Sequence, residues 1–276
     1  MKRKTSHPHL RKGSSYEEDT LYQTLRLLDP SACITRHDRS LLEKKELDIY
    51  IPEYRLAVEF NGNWWHSTLY HKDPTYHLQK TQMCEKQGIH LIQIFEDEWM
   101  YRRQAVVNLL RSNLGLNAPL AGAYSFSYLS AQRANQFILQ YDIKSFIRAD
   151  YYIGVQYKKQ LACVISLSLS HKEFYIQNIA IKYGYKITLS DISNVLSFFR
   201  RTSHTQPVHL LLDRRFFTSE GLDKLGEVKE IPPQCWITRD FETRYPRADI
   251  KLAESQIEEW GYYKIYDCGS WECIIE

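Results

Sequence analysis

Two acid-bearing runs, Glu46-Leu-Asp-Ile-Tyr-Ile51 and Tyr54-Arg-Leu-Ala-Val-Glu-Phe60, stand just before Asn61-Gly-Asn-Trp-Trp-His66. This is the stretch of the chain best equipped for chemistry. Both runs alternate apolar and polar residues and meet at Pro52-Glu53, a pattern that predicts an antiparallel hairpin with a two-residue turn. In that register Asp48 faces Ala57 and Glu46 faces Glu59. Three carboxylates then share one face, with Leu47, Ile49, Ile51, Leu56, Val58 and Phe60 on the other. Like charges across a sheet repel. A divalent cation among them reverses that cost, and oxygen-only ligation suits Mg²⁺ or Mn²⁺. His66, after the Gly62 turn, titrates near working pH and is placed to take a proton from a water on such a metal. The plainer alternative is a solvated strand face with an ordinary loop histidine.

The elements around these residues are legible. Leu21, Leu25 and Leu28 fall at helical spacing, so residues 17–28 form an amphipathic helix with Glu17 in its first turn. Residues 34–40 read as a short strand or loop, and 67–74 as a polar loop able to lie along a substrate. A helix over 74–88, closed by Gly88, puts His77, Lys80, Thr81 and Cys84 on one face. That face either turns toward the acids or toward solvent. Residues 90–95 form a buried strand, and a helix runs over 96–114. Trp64 and Trp65 are either wedges for a stacked duplex or core residues.

The acidic hairpin and Asn61-Gly-Asn-Trp-Trp-His-Ser67 resemble the core of the very short patch repair endonucleases and of EDxHD homing endonucleases, both within the PD-(D/E)xK superfamily. The resemblance spans residues 14–116. It implies a restriction-endonuclease-like core, a mixed sheet flanked by helices, that hydrolyses DNA phosphodiester bonds with Mg²⁺. It further implies Asp48 as principal metal ligand, Glu59 beside it, the Phe60 carbonyl as another ligand and His66 as base. Glu17 matches the family's helical acid, with Glu18 the fallback. The chain departs from the pattern at Asn61, where the usual lysine is missing, and at Asn63, Thr68 and Tyr70, where the repair branch holds zinc, so no zinc is expected. The last EDxHD acid falls on Lys80, which could supply the missing positive charge beside His77.

Length and composition accommodate two domains: 276 residues, 43% hydrophobic. The division expected is a basic arm over 1–13, the nuclease domain over 14–116, a linker over 117–123 and a second mixed α/β domain over 124–276. No apolar run is long enough for a membrane span, the start does not read as a secretory signal, and six scattered cysteines read as reduced thiols of a cytoplasmic protein. Net charge is +3. Its distribution says more than its sum. Lys2, Arg3, Lys4, Arg11 and Lys12 make a cationic arm suited to DNA phosphates, or a solubilising tail, while Asn61, Trp64 and Trp65 are the other candidate DNA contacts. The pairs Arg102-Arg103, Arg200-Arg201 and Arg214-Arg215 suit phosphate contact or simple solvation.

The second half faintly resembles the GNAT acetyltransferase fold of Mom-like phage proteins, through strand Asn178-Ile-Ala-Ile-Lys182, turn Tyr183-Gly-Tyr-Lys-Ile and the following helix. The turn has only Gly184 where two spaced glycines would bring amides to a pyrophosphate, so no small-molecule cofactor is expected. The leading expectation is a phage homing-type endonuclease acting on double-stranded DNA. The alternatives are a DNA-binding or GNAT-like DNA-modifying protein with an inactive first half, and a mismatch-repair nicking enzyme.

Overall fold

Two mixed α/β halves carry core clusters of their own, with Phe216 of the second half packed into the first. A computed structural model describes residues 16–43, 45–120, 122–144, 147–201 and 205–276. The cationic arm, with Lys2, Arg3, Lys4, Arg11 and Lys12, lies outside the described residues. No helix among the described residues is long and apolar enough to cross a membrane.

The first half runs α1 (Tyr16–Leu28), β1 (Thr35–Leu42), β2 (Lys45–Ile51), β3 (Leu56–Asn61), α2 (Tyr76–Lys86), β4 (His90–Phe95), α3 (Glu96–Tyr101) and α4 (Arg103–Asn113). Its four-stranded sheet has the order β1-β2-β3-β4, antiparallel except for the parallel pair β3 and β4. Every residue of β3 is buried, because both faces of the sheet are covered. Ile49, Val58, Phe60, Ile92 and Ile94 pack on Leu21 and Leu25 of α1 and on Val106 and Leu110 of α4. Ala57 and Leu91 pack beneath Cys84 of α2 on the opposite side. The face of α2 bearing His77, Lys80, Thr81 and Cys84 is the buried one, so the helix is not a surface helix. The expected helix over 96–114 is two helices, broken at Arg102, whose φ of −129° is not helical.

The hairpin register differs from expectation. Residues 52–54 form a turn of 3-10 helix and Arg55 closes it in the left-handed region, φ 47°, so the connection is longer than the expected two residues. Ile49 pairs with Val58 and Ile51 with Leu56, which sets Asp48 against Glu59 rather than against Ala57. The slip is even, so inward and outward faces are unchanged.

The second half continues with β5 (Ala118–Pro119), β6 (Tyr124–Tyr128), α5 (Ala131–Tyr141), β7 (Tyr151–Tyr157), β8 (Gln160–Ser170), β9 (Glu173–Ile181), β10 (Tyr185–Lys186), α6 (Leu189–Arg200), β11 (Val208–Asp213) and β12 (Glu227–Ile231). It ends with β13 (Cys235–Thr238), β14 (Tyr245–Pro246), α7 (Glu254–Glu259), β15 (Tyr263–Tyr266) and β16 (Ser270–Ile275). Its seven-stranded sheet has the order β12-β16-β11-β9-β8-β7-β6. Lys158 and Lys159, both with positive φ, make the tight turn between β7 and β8. β9 and β11 run parallel, joined over α6, but pair only from Phe174 to Ile176 and then part. Within the expected linker, residues 117–120 are built into the fold. β5 pairs with β10, Asn117 is buried, and Leu120 belongs to the second core.

What fastens the halves is ionic and buried. Arg215, after β11, donates to Glu98 at 2.8 Å and to Asp213 at 2.6 Å. Arg244 reaches Asp97 at 2.7 Å and Glu98 at 2.9 Å. Arg214 makes a two-pronged pair with Glu85 and lies over Trp271. The Arg214-Arg215 pair is therefore spent inside the protein rather than on phosphate. Removing one partner from a buried pair leaves an uncompensated charge, so Glu98→Gln should cost about 3–5 kcal/mol in urea unfolding. A loss no larger than that of an exposed ion pair would show that this junction does not hold the halves together.

Candidate functional site

Beyond Ile49 and Val58 the ladder between β2 and β3 stops, and two carboxylates take its place. Asp48 N–H donates to Glu59 Oε1 at 3.0 Å, and Phe60 N–H donates to Asp48 Oδ2 at 2.9 Å. Lys80, reaching down from α2, forms an ion pair with the other Glu59 oxygen. Glu59 is 4% exposed and Lys80 6%, so the pair is sealed. Burial, then the adjacent Asp48 carboxylate, push Glu59 up to about 8, and burial raises Asp48 too. Between the ordinary carboxylate range and about pH 8 the two acids therefore hold one proton between them. Both Glu59 oxygens accept hydrogen bonds, and the shared proton belongs to the pair. With Lys80 charged, the cluster is close to neutral.

The other candidates scatter. Glu46 turns to His37 and Arg39 at 2.8 and 2.6 Å on the surface. Glu17 accepts from Trp99 Nε1 at 2.9 Å and from Arg103 at 3.0 Å. Its neighbour Glu18 is the helical acid that senses Asp48, its carboxyl raised by burial and then by that charge. Asn61 is 1% exposed and donates to Gln93, so it is not available to DNA. His66 touches neither acid by hydrogen bond. Its ring lies 4.9 Å from that of His77 and 5.4 Å from that of His71, and burial, then those two neighbours, hold it well below the usual imidazole range. His77 is lowered to about 3 by burial.

Gln93 went unnoticed in the sequence and organises this region. Its amide nitrogen donates to the His77 carbonyl and to Thr81, while its oxygen receives Asn61 and His77 Nδ1. The available signal was a polar residue inside the apolar strand His90-Leu-Ile-Gln-Ile-Phe95.

Outside this polar interior lies an aromatic face. Trp65, 44% exposed, packs on Tyr70, 49% exposed, at 4.9 Å. Trp64 is half-buried, edge-on to Phe241 of the second half at 4.5 Å, and its Nε1 donates to Tyr70. His71 stacks on Tyr76 at 4.4 Å, and the Lys45 ammonium lies over the Tyr76 ring at 4.8 Å. Lys72 is exposed beside them. Thr68 and Lys264 exchange hydrogen bonds, so the second half fixes the shape of this loop.

No known family model and no curated protein matches the chain. Among solved structures, similarity is found to GNAT-family acetyltransferases. One is the ribosomal-protein-S18-alanine N-acetyltransferase from Escherichia coli, 12% identical, TM-score 0.32, covering 56% of this chain and 95% of that one. Another is a GNAT-family acetyltransferase from Staphylococcus aureus Mu50, 11% identical, TM-score 0.30, covering 52% and 99%. These findings overturn the expected assignment to the PD-(D/E)xK nucleases, and with it the Mg²⁺-dependent phage homing endonuclease and the phosphodiester hydrolase. What stands of the expected fold is its mixed α/β class. The geometry supplies a physical reason: Glu46 faces away, Glu59 is committed to Lys80, and His66 sits apart. Among the described residues no three His, Cys, Asp or Glu side chains are spaced to hold a metal ion.

The shared proton has a measurable consequence. A carboxyl whose pKa is raised by folding stabilises the fold below its unfolded value, and that contribution is lost as pH rises through the folded value. Stability should therefore decline between about pH 4.5 and about 8. Glu59→Gln should flatten this decline in urea titrations, and an unchanged profile would remove the proton from the pair.

Proposed function

We infer that this chain is a DNA-binding protein of the GNAT-like kind, in which the first half contacts nucleic acid without hydrolysing it. The observation that carries the reading is the exposed Trp65–Tyr70 pair, with exposed Lys72 two residues further along the chain and Lys45 over Tyr76. Aromatic faces stack on bases, each base contributing about 1–3 kcal/mol, while lysines neutralise phosphates. The polar interior beneath supports a positioning role. A cluster already neutralised by its own lysine offers little charge to a ligand. In anisotropy titrations with labelled double-stranded DNA, Trp65→Ala should weaken binding roughly tenfold. Lys72→Ala should lower the slope of log K against log salt by about 1. Undetectable binding by the wild type at low salt would reject the reading.

A second reading, acyl transfer by the second half, is favoured by the parting of β9 and β11. Ligands of open α/β sheets sit outside the carboxyl ends of parallel strands, where neighbours diverge. Here Asn108 of α4 fills that crevice, donating to the Ile181 carbonyl at 3.0 Å and accepting from Gly184 N–H at 3.1 Å. Asp191 also caps the N-terminus of α6 through Thr188. Calorimetry with acetyl-CoA should give tighter binding to Asn108→Ala, which frees both backbone groups, than to the wild type. Absence of binding to both proteins rejects acyl transfer and leaves DNA binding untouched.

A further inference from the structure

The orientation of Gln93 fixes a proton elsewhere. Its amide nitrogen must face the His77 carbonyl, so its oxygen faces His77 Nδ1, which therefore carries the hydrogen. His77 Nε2 is left as a bare lone pair. It is buried, has no hydrogen-bond partner, and belongs to a ring held neutral down to about pH 3 by burial. His66 Nδ1 is also buried without a partner, in an imidazole kept neutral in the same way. Buried acceptors left unpaired are costly, and two of them in adjacent rings point to something that both can bind.

We propose that His66 Nδ1 and His77 Nε2 form a two-nitrogen site for a borderline divalent transition metal of the zinc or cobalt class. Two imidazoles bound at about 2.0–2.1 Å in a tetrahedral arrangement place their ring centres roughly 5 Å apart. The observed separation is 4.9 Å. The hydrogen bond from His77 Nδ1 to Gln93 is the kind of outer contact that orients a ligating imidazole. Neutral nitrogen donors suit zinc or cobalt and do not suit magnesium. Lys80 and Arg244 each oppose positive charge at these rings, and their ion pairs with Glu59 and with Asp97 and Glu98 offset that opposition only in part. His71, 5.4 Å from His66, is the next imidazole outward, and the remaining positions fall to water or an incoming ligand. These ligands are distinct from the positions where the repair endonucleases hold zinc, and the site requires neither DNA nor acyl-CoA.

The test titrates the full chain with Co²⁺, following visible absorption and ring-proton NMR. One equivalent should bind, with the largest paramagnetic shifts on His66 and His77 and small ones on His37 and His209, a readout that needs no substitution. His77→Gln should weaken binding at least tenfold, while His37→Gln should leave it unchanged. Absence of binding by the wild type, shifts centred on other histidines, or full binding by His77→Gln would overturn the site. In that case a buried water meets the two lone pairs.

Discussion

Two arginines of the second half converge on one glutamate of the first, and the rest of the structure hangs on that junction. Glu98 sits in the opening turn of α3, where it also accepts the Phe95 N–H, so it caps a helix while receiving Arg215 and Arg244. Asp97 and Asp213 supply the balancing charge. Guanidinium groups enter such a place because the planar fork spreads its charge over several donors and stacks on rings. Arg244 lies over Phe95 at 3.7 Å, and Arg215 over Phe216 at 4.5 Å. Phe216 in turn packs in the core of the first half. The junction thus aligns an ionic contact with an apolar one.

That alignment governs the loop after β3. Asn63 reaches the Phe241 carbonyl, Trp64 packs on the Phe241 ring, and Thr68 is held by Lys264, all partners from the second half. An exposed aromatic loop would lose much binding energy to ordering if it were free in solution. Here its shape is set by those partners.

The acids fare differently. Two carboxylates brought face to face at the end of a ladder demand a cation or a proton. This chain supplies both, Lys80 from α2 and one proton shared by the pair. A cluster satisfied from within is stable and poorly suited to exchange ligands. His77 is the opposite case, its Nδ1 taken by Gln93 and its Nε2 left without a partner.

Much of the architecture was legible in the amino acids. Period-two runs located β2 and β3, Leu21 and Leu25 marked the buried stripe of α1, and His90-Leu-Ile-Gln-Ile-Phe95 marked β4. Alternation and helical spacing are local properties, so local sequence reports them. The turn at residues 52–55 was misread because a 3-10 turn closed by a left-handed arginine has no strong residue signature. That error set Glu59 opposite Glu46, whereas the structure sets it opposite Asp48. Which charges would meet was not legible at all. Lys80 lies far along the chain from Glu59, and Arg215 and Arg244 farther still from Glu98. Charged side chains in a sequence look solvated until packing removes their water. Sequence alone determined the elements and the residues capable of chemistry. Tertiary structure decided which of them are neutralised and which remain open, because burial and partners at long range set the electrostatics.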